Sequence, residues 1–275
     1  MVRIALYQAR SGIDPVANSA ALVAAVETAA AGGAAMLFTP EMSGLLDSNR
    51  ERAKSSIRTE EDDEVLRNVR AAAKSSGIWV HLGSLALQGS GDRFVNRAFV
   101  IDGRGEIRAR YDKIHLFDVD LPTGESWRES AVYQGGERPV LVRDTPAGNL
   151  GLTICYDLRF PALFERLSEA GADVIAVPAA FTVPTGKAHW HTLLRARAIE
   201  AGLYVVAAAQ VGRHEDGRST FGHSLVIDPW GDILLDMGEE QGLGFADIEL
   251  SKISEVRSRI PALNHRRTIP DVVSQ

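Results

Sequence analysis

Strand-length apolar runs alternate with helical stretches from the first residues of this 275-residue chain, and there are more such runs than one parallel sheet accommodates. Residues 2–9 read as a strand and Pro15–Ala31 as an alanine-rich helix closed by Gly32-Gly33. A second strand, Ala35–Thr39, ends at Pro40-Glu41. Glu60–Ser75 reads as a charged amphipathic helix, and Ile78–Leu87 as a third strand. Asn96–Asp102 and Gly105–Tyr111 have the pattern of a hairpin around Asp102-Gly103. Residues 116–136, with Pro122, Gly124, Gly135 and Gly136, read as a long loop. Val140–Val142 and Leu150–Cys155 add two strands, and a helical pattern covers Leu158–Leu167. The strand Val174–Pro178, a helix His189–Ala201 and strands at 204–210, 224–229 and 233–236 follow, and short segments finish the chain. Val174–Val177 and Tyr204–Ala209 have no polar alternation, so they need cover on both faces. Residues 96–111 and 224–236 alternate as hairpins do. The expected class is therefore α/β with mixed sheets and helices outside. Two sheets packed face to face under helices satisfies it. No linker or repeat interrupts residues 1–275, so one domain is the simplest account.

The net charge of −6 comes without a long basic run, which argues against nucleic acid or an anionic membrane as partner. A small molecule remains. The one cysteine cannot form an intramolecular disulfide, which suits a reducing compartment. The chain starts with a strand, not a signal sequence, and no window reaches the length of a membrane span, so a cytoplasmic protein is expected.

That cysteine, Cys155, closes the run Leu150–Cys155 just before the helical pattern. A strand-to-helix elbow offers amide N–H groups and the positive end of a helix dipole, which would lower the thiol pKa. A buried, inert cysteine fits the position too. Glu41 and Lys113 also stand at ends of apolar segments, where solvated edge residues are common. Taken together they form a chemically complete set: Cys155 as nucleophile, Glu41 as base, and Lys113 with the Tyr156 N–H as oxyanion stabilisers. Glu129 could hold Lys113 charged and oriented. Arg159, four residues after Cys155, falls about one helical turn away on the same side. Arg195 and Arg197 read as members of structural ion pairs, and His214 as an exposed loop residue. A Cys–His hydrolase using His115 would leave Glu41 and Lys113 without a role. His189-Trp-His191 diverges at helical spacing, and no His-Glu-x-x-His is present, so no metal is expected.

The segments Phe38-Thr-Pro-Glu41, Tyr111-Asp-Lys-Ile-His115 and Gly151–Pro161 resemble, in order and spacing, the three signature motifs of the nitrilase superfamily of carbon–nitrogen hydrolases. Finer segments, among them Lys113–Asp120, Gly222-His-Ser224 and Ile260–Arg267, resemble its Nit subgroup, which holds deaminated glutathione amidase and ω-amidase. The resemblance implies a four-layer α-β-β-α sandwich with two mixed sheets, paired into a homodimer or higher homo-oligomer. It places the Glu-Lys-Cys triad on Glu41, Lys113 and Cys155, a second glutamate on Glu129, and substrate contacts on Phe181 and Thr185 in the loop after the strand Val174–Pro178. Because the subgroup's substrates carry a carboxylate, Arg159 could bind it, although a surface helix arginine fits equally. It implies a cofactor-free amidase that converts a small carboxylate-bearing amide, foremost deaminated glutathione, to acid and ammonia through a cysteinyl thioester. ω-Amidase, N-carbamoyl hydrolase and nitrilase are the enzymatic alternatives. A non-catalytic scaffold is the remaining one.

Overall fold

Two six-stranded sheets carry the architecture of the computed structural model, which describes residues 1–120, 124 and 126–274. In chain order the strands are β1 (Val2–Gln8), β2 (Met36–Phe38), β3 (Trp79–Gln88), β4 (Phe94–Ile101), β5 (Ile107–Asp112), β6 (Asp118–Asp120), β7 (Ser126–Arg128) and β8 (Val140–Thr145). They continue with β9 (Gly148–Leu152), β10 (Val174–Ala176), β11 (Tyr204–Ala207), β12 (Val211–Arg213), β13 (Ser219–Phe221), β14 (Leu225–Ile227), β15 (Ile233–Asp236) and β16 (Gly242–Ile248). The helices are α1 (Pro15–Ala31), α2 (Arg50–Ser56), α3 (Glu64–Ser76), α4 (Pro161–Glu169), α5 (Val183–Ala201) and α6 (Ser251–Arg259).

Both sheets are mixed, as expected. One runs β16-β1-β2-β3-β4-β5 and the other β15-β14-β11-β10-β9-β8. Each has three parallel strands, β1–β3 or β9–β11, flanked by antiparallel ones. Period-two alternation decides the layering. Ile4, Leu6, Met36 and Phe38 face the space between the sheets, whereas Ala5, Tyr7 and Leu37 share a cluster with α1 and α3. α4 and α5 cover the second sheet through Leu163, Leu167, Trp190 and Leu194. The result is the expected α-β-β-α sandwich.

Local chemistry sets the helix boundaries. The Asp14 carboxylate accepts from Val16 N–H at the start of α1, and the Asp63 carboxylate accepts from Leu66 N–H at the start of α3. Helix α3 thus begins at Glu64 rather than Glu60, because Asp63 is its cap; Glu60 instead accepts from Arg97 and Arg110. Gly77 and Gly202 close α3 and α5 in the left-handed conformation. Helix α5 begins at Val183, six residues before the expected start, with Pro184 in its first turn. Strand β9 ends at Leu152, short of Cys155. The expected loop 116–136 contains the small hairpin β6–β7, and its Pro122 lies outside the described residues. No described helix is long and apolar enough to cross a membrane.

His81 on β3 is 1% exposed and lies beside Phe38, with no hydrogen-bond partner for either ring nitrogen among the described residues. Burial lowers its pKa from the ordinary 6.5 to about 3. Below pH 6.5 the unfolded chain takes up a proton that the folded chain refuses, so stability is lost as pH falls from 6.5 towards 3. His81→Leu, of similar volume, should therefore gain about 2 kcal/mol relative to the parent protein between about pH 7.5 and about pH 5. Urea unfolding at the two pH values measures this. An unchanged difference between the two proteins would show that His81 does not titrate as a buried neutral group.

Candidate active site

Strand direction brings the site together. β5 lies two antiparallel steps from β3 and so runs with β2, and a parallel bridge joins Ala9, just beyond β1, to Gln210, just beyond β11. The carboxyl ends of β2, β5 and β9 therefore open at one end of the sandwich, and Glu41, Lys113 and Cys155 follow those three strands. Gly83 lets the two sheets meet there. A Cβ at that position would stand 1.9 Å from Thr39 O and 2.6 Å from Pro178 Cβ, so only glycine allows the loops after β2 and β10 to approach this closely.

Lys113 is 2% exposed and sits between two carboxylates. Its Nζ donates to Glu41 Oε1 at 2.9 Å and to Glu129 at 2.8 Å (Oε2) and 3.2 Å (Oε1). The other Glu41 oxygen accepts the Ala180 N–H at 3.0 Å, and Glu129 Oε2 also accepts the Phe117 N–H at 2.7 Å. Asn96 Nδ2 ties the glutamates together, donating to Glu41 at 3.0 Å and to Glu129 at 3.4 Å. Burial disfavours the ammonium, but Glu129 and Glu41 outweigh it and hold the Lys113 pKa well above the ordinary lysine value. The lysine is permanently charged and fixed in direction.

Cys155 departs from the sequence-based expectation. It opens a 3₁₀ turn, Cys155–Arg159, and α4 begins only at Pro161, so no α-helix dipole starts at the thiol. Its own N–H is taken by Pro178 O at 2.8 Å, and its backbone is held in the left-handed region at φ 48°. Burial, followed by the field of Glu41, pushes the thiol pKa well above its usual value despite the opposing charge of Lys113. Burial and the Glu41 charge thus both oppose the thiolate that the elbow position predicts.

A cavity of about 370 Å³ unites the expected residues: Glu41, Lys113, Cys155, Glu129, Tyr156, Arg159, Phe181 and Thr185 all line it. No described residue accepts the Tyr156 N–H in a backbone hydrogen bond. Phe181 lies in the loop after β10, as expected, but Thr185 lies in the first turn of α5, its hydroxyl against that of Thr182 at 2.8 Å. Arg159 reaches the cavity from the 3₁₀ turn rather than from an α-helical turn. It lies over the rings of Phe181 (5.5 Å) and Tyr156 (5.9 Å) and against His189 Nδ1 at 3.3 Å. Arg128 and Arg218, which also line the cavity, are paired with Asp120 and Asp216, whereas Arg159 has no carboxylate partner among the described residues.

Other expectations resolve similarly. His115 does not line the cavity that holds Cys155: it stacks on Phe160 at 3.6 Å, and its Nδ1 meets Asp157 Oδ1 at 2.7 Å. Arg197 pairs with Glu200 and also donates to Leu158 O, bracing the elbow. Among the described residues Arg195 makes no ion pair, and it donates to Gly231 O. His214 is buried, between Ser11 O and Thr220 Oγ1, because the β12–β13 hairpin folds over the segment after β1. Sequence reasoning missed Asn96, the Ala180 N–H and Asp157. Fully buried Asp157 accepts from Tyr111 OH (2.7 Å), Ile154 N–H (2.9 Å) and His115 N–H (3.0 Å), locking the segment around Lys113 to the elbow. A polar residue inside each of the runs Phe94–Ile101 and Ile154–Leu158 was the available signal.

A carboxylate beside a buried thiol, with a fixed ammonium at hand, is equipped for acyl transfer from nitrogen. The family model described as carbon-nitrogen hydrolase matches residues 3–258. A deaminated glutathione amidase of Yersinia enterocolitica is 42% identical over 244 residues, 88% of this chain and 85% of that protein. The crystal structure of the Caenorhabditis elegans NitFhit protein superposes with a TM-score of 0.89 at 39% identity, covering 97% of this chain and 65% of that longer one. An amidase from Nesterenkonia sp. AN1, solved with acrylamide added at its active-site cysteine, has a TM-score of 0.78 at 27% identity, covering 95% and 98%. With matching fold, matching sequence and this cluster of side chains, the chain belongs to the carbon–nitrogen hydrolase family.

Proposed function

We propose that the protein is a cysteine-dependent amidase whose preferred substrate is deaminated glutathione. The observation that carries the chemistry is the convergence of Glu41, Lys113 and Cys155 on one cavity. Glu41 takes the thiol proton as sulfur attacks the amide carbonyl. Lys113 and the Tyr156 N–H receive the negative charge that develops on oxygen. The proton passes from Glu41 to the departing nitrogen, the C–N bond breaks, and a thioester remains on Cys155. Glu41 then activates water, which releases the acid and returns the proton to sulfur. Glu129 accepts from Lys113 throughout and keeps it aimed.

The substrate reading rests on the 42% identical amidase and on Arg159, whose guanidinium fits a carboxylate bidentately. Glutathione that has exchanged its α-amino group for an oxo group carries a carboxylate beyond the scissile γ-amide. Its nitrogen departs as the amine of cysteinylglycine, so ammonia, the product expected of a primary amide, is not released from this substrate. The decisive assay follows 2-oxoglutarate from deaminated glutathione. In parallel it follows ammonia from α-ketoglutaramate, an N-carbamoyl amino acid and a simple nitrile. Preferred turnover of deaminated glutathione supports the proposal. Turnover of α-ketoglutaramate alone keeps the chemistry and moves the substrate to that of an ω-amidase. No turnover of any of the four would favour the scaffold reading.

Arg159 supplies a separate expectation. Arg159→Met should raise KM about 10–100-fold, the worth of a charge-assisted bidentate contact, with kcat little changed. Arg159→Lys should recover part of the loss. A fall in kcat at constant KM, seen in steady-state kinetics, would remove Arg159 from the carboxylate subsite.

A further inference from the structure

We propose that His191, His223 and Asp236 form a surface site for a divalent transition-metal ion of the zinc class, separate from the catalytic cavity. Among the described residues these three offer ligand atoms that all lie within 4.8 Å of one another. His191 comes from the middle of α5, His223 from the turn between β13 and β14, and Asp236 from the end of β15. His191 Nε2 lies 3.0 Å from Asp236 Oδ2, and His223 Nδ1 lies 2.9 Å from Oδ1 and 3.2 Å from Oδ2. Nitrogen and oxygen ligands held at about 2.0–2.2 Å around a tetrahedral zinc ion stand about 3.3 Å apart. Both histidine–carboxylate spacings are within a few tenths of an ångström of that value, and the two histidine nitrogens lie within 4.8 Å of each other. Two imidazoles and one carboxylate are ligands suited to zinc, and partial exposure leaves the fourth position to water.

The surroundings hold each ligand in place. The His223 ring stacks on Phe221 at 4.5 Å, and the His191 ring meets the same phenyl edge-on at 6.1 Å. His223 adopts φ 53°, a conformation a non-glycine residue keeps only when its neighbours enforce it. Its N–H donates to Gly238 O at 2.7 Å, and its carbonyl accepts from Trp190 Nε1 at 2.8 Å. The Asp236 carboxylate accepts the Gly238 N–H at 2.9 Å, which orients it as outer hydrogen bonds orient metal ligands. An ion here would join α5, whose first turn lines the catalytic cavity, to the sheet behind it, and so would stiffen that wall.

The test uses the full chain in a Cys155→Ala background, so that the catalytic thiol cannot bind the metal. Zn²⁺ is titrated calorimetrically, and Co²⁺ is followed by its visible absorption bands. The expected result is one ion per chain with tetrahedral cobalt bands and a Zn²⁺-dependent rise in melting temperature. His191→Gln and Asp236→Asn should each weaken binding at least about tenfold, the range seen when one metal-site partner is lost. His223→Asn should do the same while tolerating the left-handed backbone. Melting temperatures in chelator check that each variant is folded. Absence of stoichiometric binding, or equal binding by the folded variants, would overturn the site.

Discussion

Turnover by the Cys155→Ala variant is expected to fall at least about 10⁴-fold, as when the nucleophile of a covalent triad is removed. With sulfur gone, Glu41 would have to drive water directly onto an amide, a step with no covalent intermediate to divide it. The change should spare the fold. Cys155 makes no disulfide, alanine meets the same positive φ, and the ion pairs of Lys113 do not involve the thiol. Glu41→Gln should also be slow, about 10²–10⁴-fold below the parent enzyme. The variant loses together the acceptor of the sulfur proton, the donor to the departing nitrogen and the base for water. Product release under saturating substrate measures both. Activity of Cys155→Ala within tenfold of the parent would sink the thioester mechanism.

Lys113→Met should damage catalysis and stability together. Losing the charge aimed at the oxyanion is expected to cost about 10²–10³ in kcat. It also leaves Glu41 and Glu129 facing one another in a nearly dry site, and breaking a buried pair from one side costs about 3–5 kcal/mol. The pH response has a definite sign. Without the cation, mutual repulsion raises the folded pKa of the carboxylates above their unfolded values. The folded variant then binds more protons than the unfolded chain, so its stability relative to the parent should improve as pH is lowered from about 8 to about 5.5. Denaturant unfolding at both pH values, beside steady-state kinetics, gives both numbers. A variant that loses stability but keeps its kcat would make Lys113 a counter-ion and nothing more.

Much of this was legible in the chain. Ile4, Leu6, Met36 and Phe38 follow a period-two rule that needs no knowledge of distant residues, and the absence of polar alternation in Val174–Val177 and Tyr204–Ala209 marks strands covered on both faces. Asp63 as a cap and Gly77 as a stop are equally local, although the helix was expected to begin earlier, at Glu60. The elbow was misread at one point. Leu158–Leu167 has a helical pattern, but Phe160-Pro161 divides it into a 3₁₀ turn and α4, since the residue before proline disfavours the helical conformation. Thr185 was placed in a loop because the start of α5 is apolar and proline-bearing, without the polar cap that usually announces a helix. His214 was read as exposed because its neighbours, Glu215, Asp216 and Gly217, look like a solvated turn; only the docking of the hairpin buries it.

By itself the sequence determined the class of fold, the strand ends that carry Glu41, Lys113 and Cys155, and the chemistry those residue types are able to perform. Each of these depends on patterns a few residues long or on motif spacing. The tertiary structure alone decided how the groups behave. Glu41 and Lys113 are 72 positions apart, and His191 and Asp236 are 45 apart, so their contact exists only after the sheets pair and α5 docks. The thiol shows the difference most clearly. Placed at an elbow it promised a low pKa, yet in the folded chain it is raised, because desolvation and the nearby Glu41 charge outweigh Lys113. Such a balance is a sum of burial and field over neighbours brought from distant parts of the chain, and no local pattern encodes it.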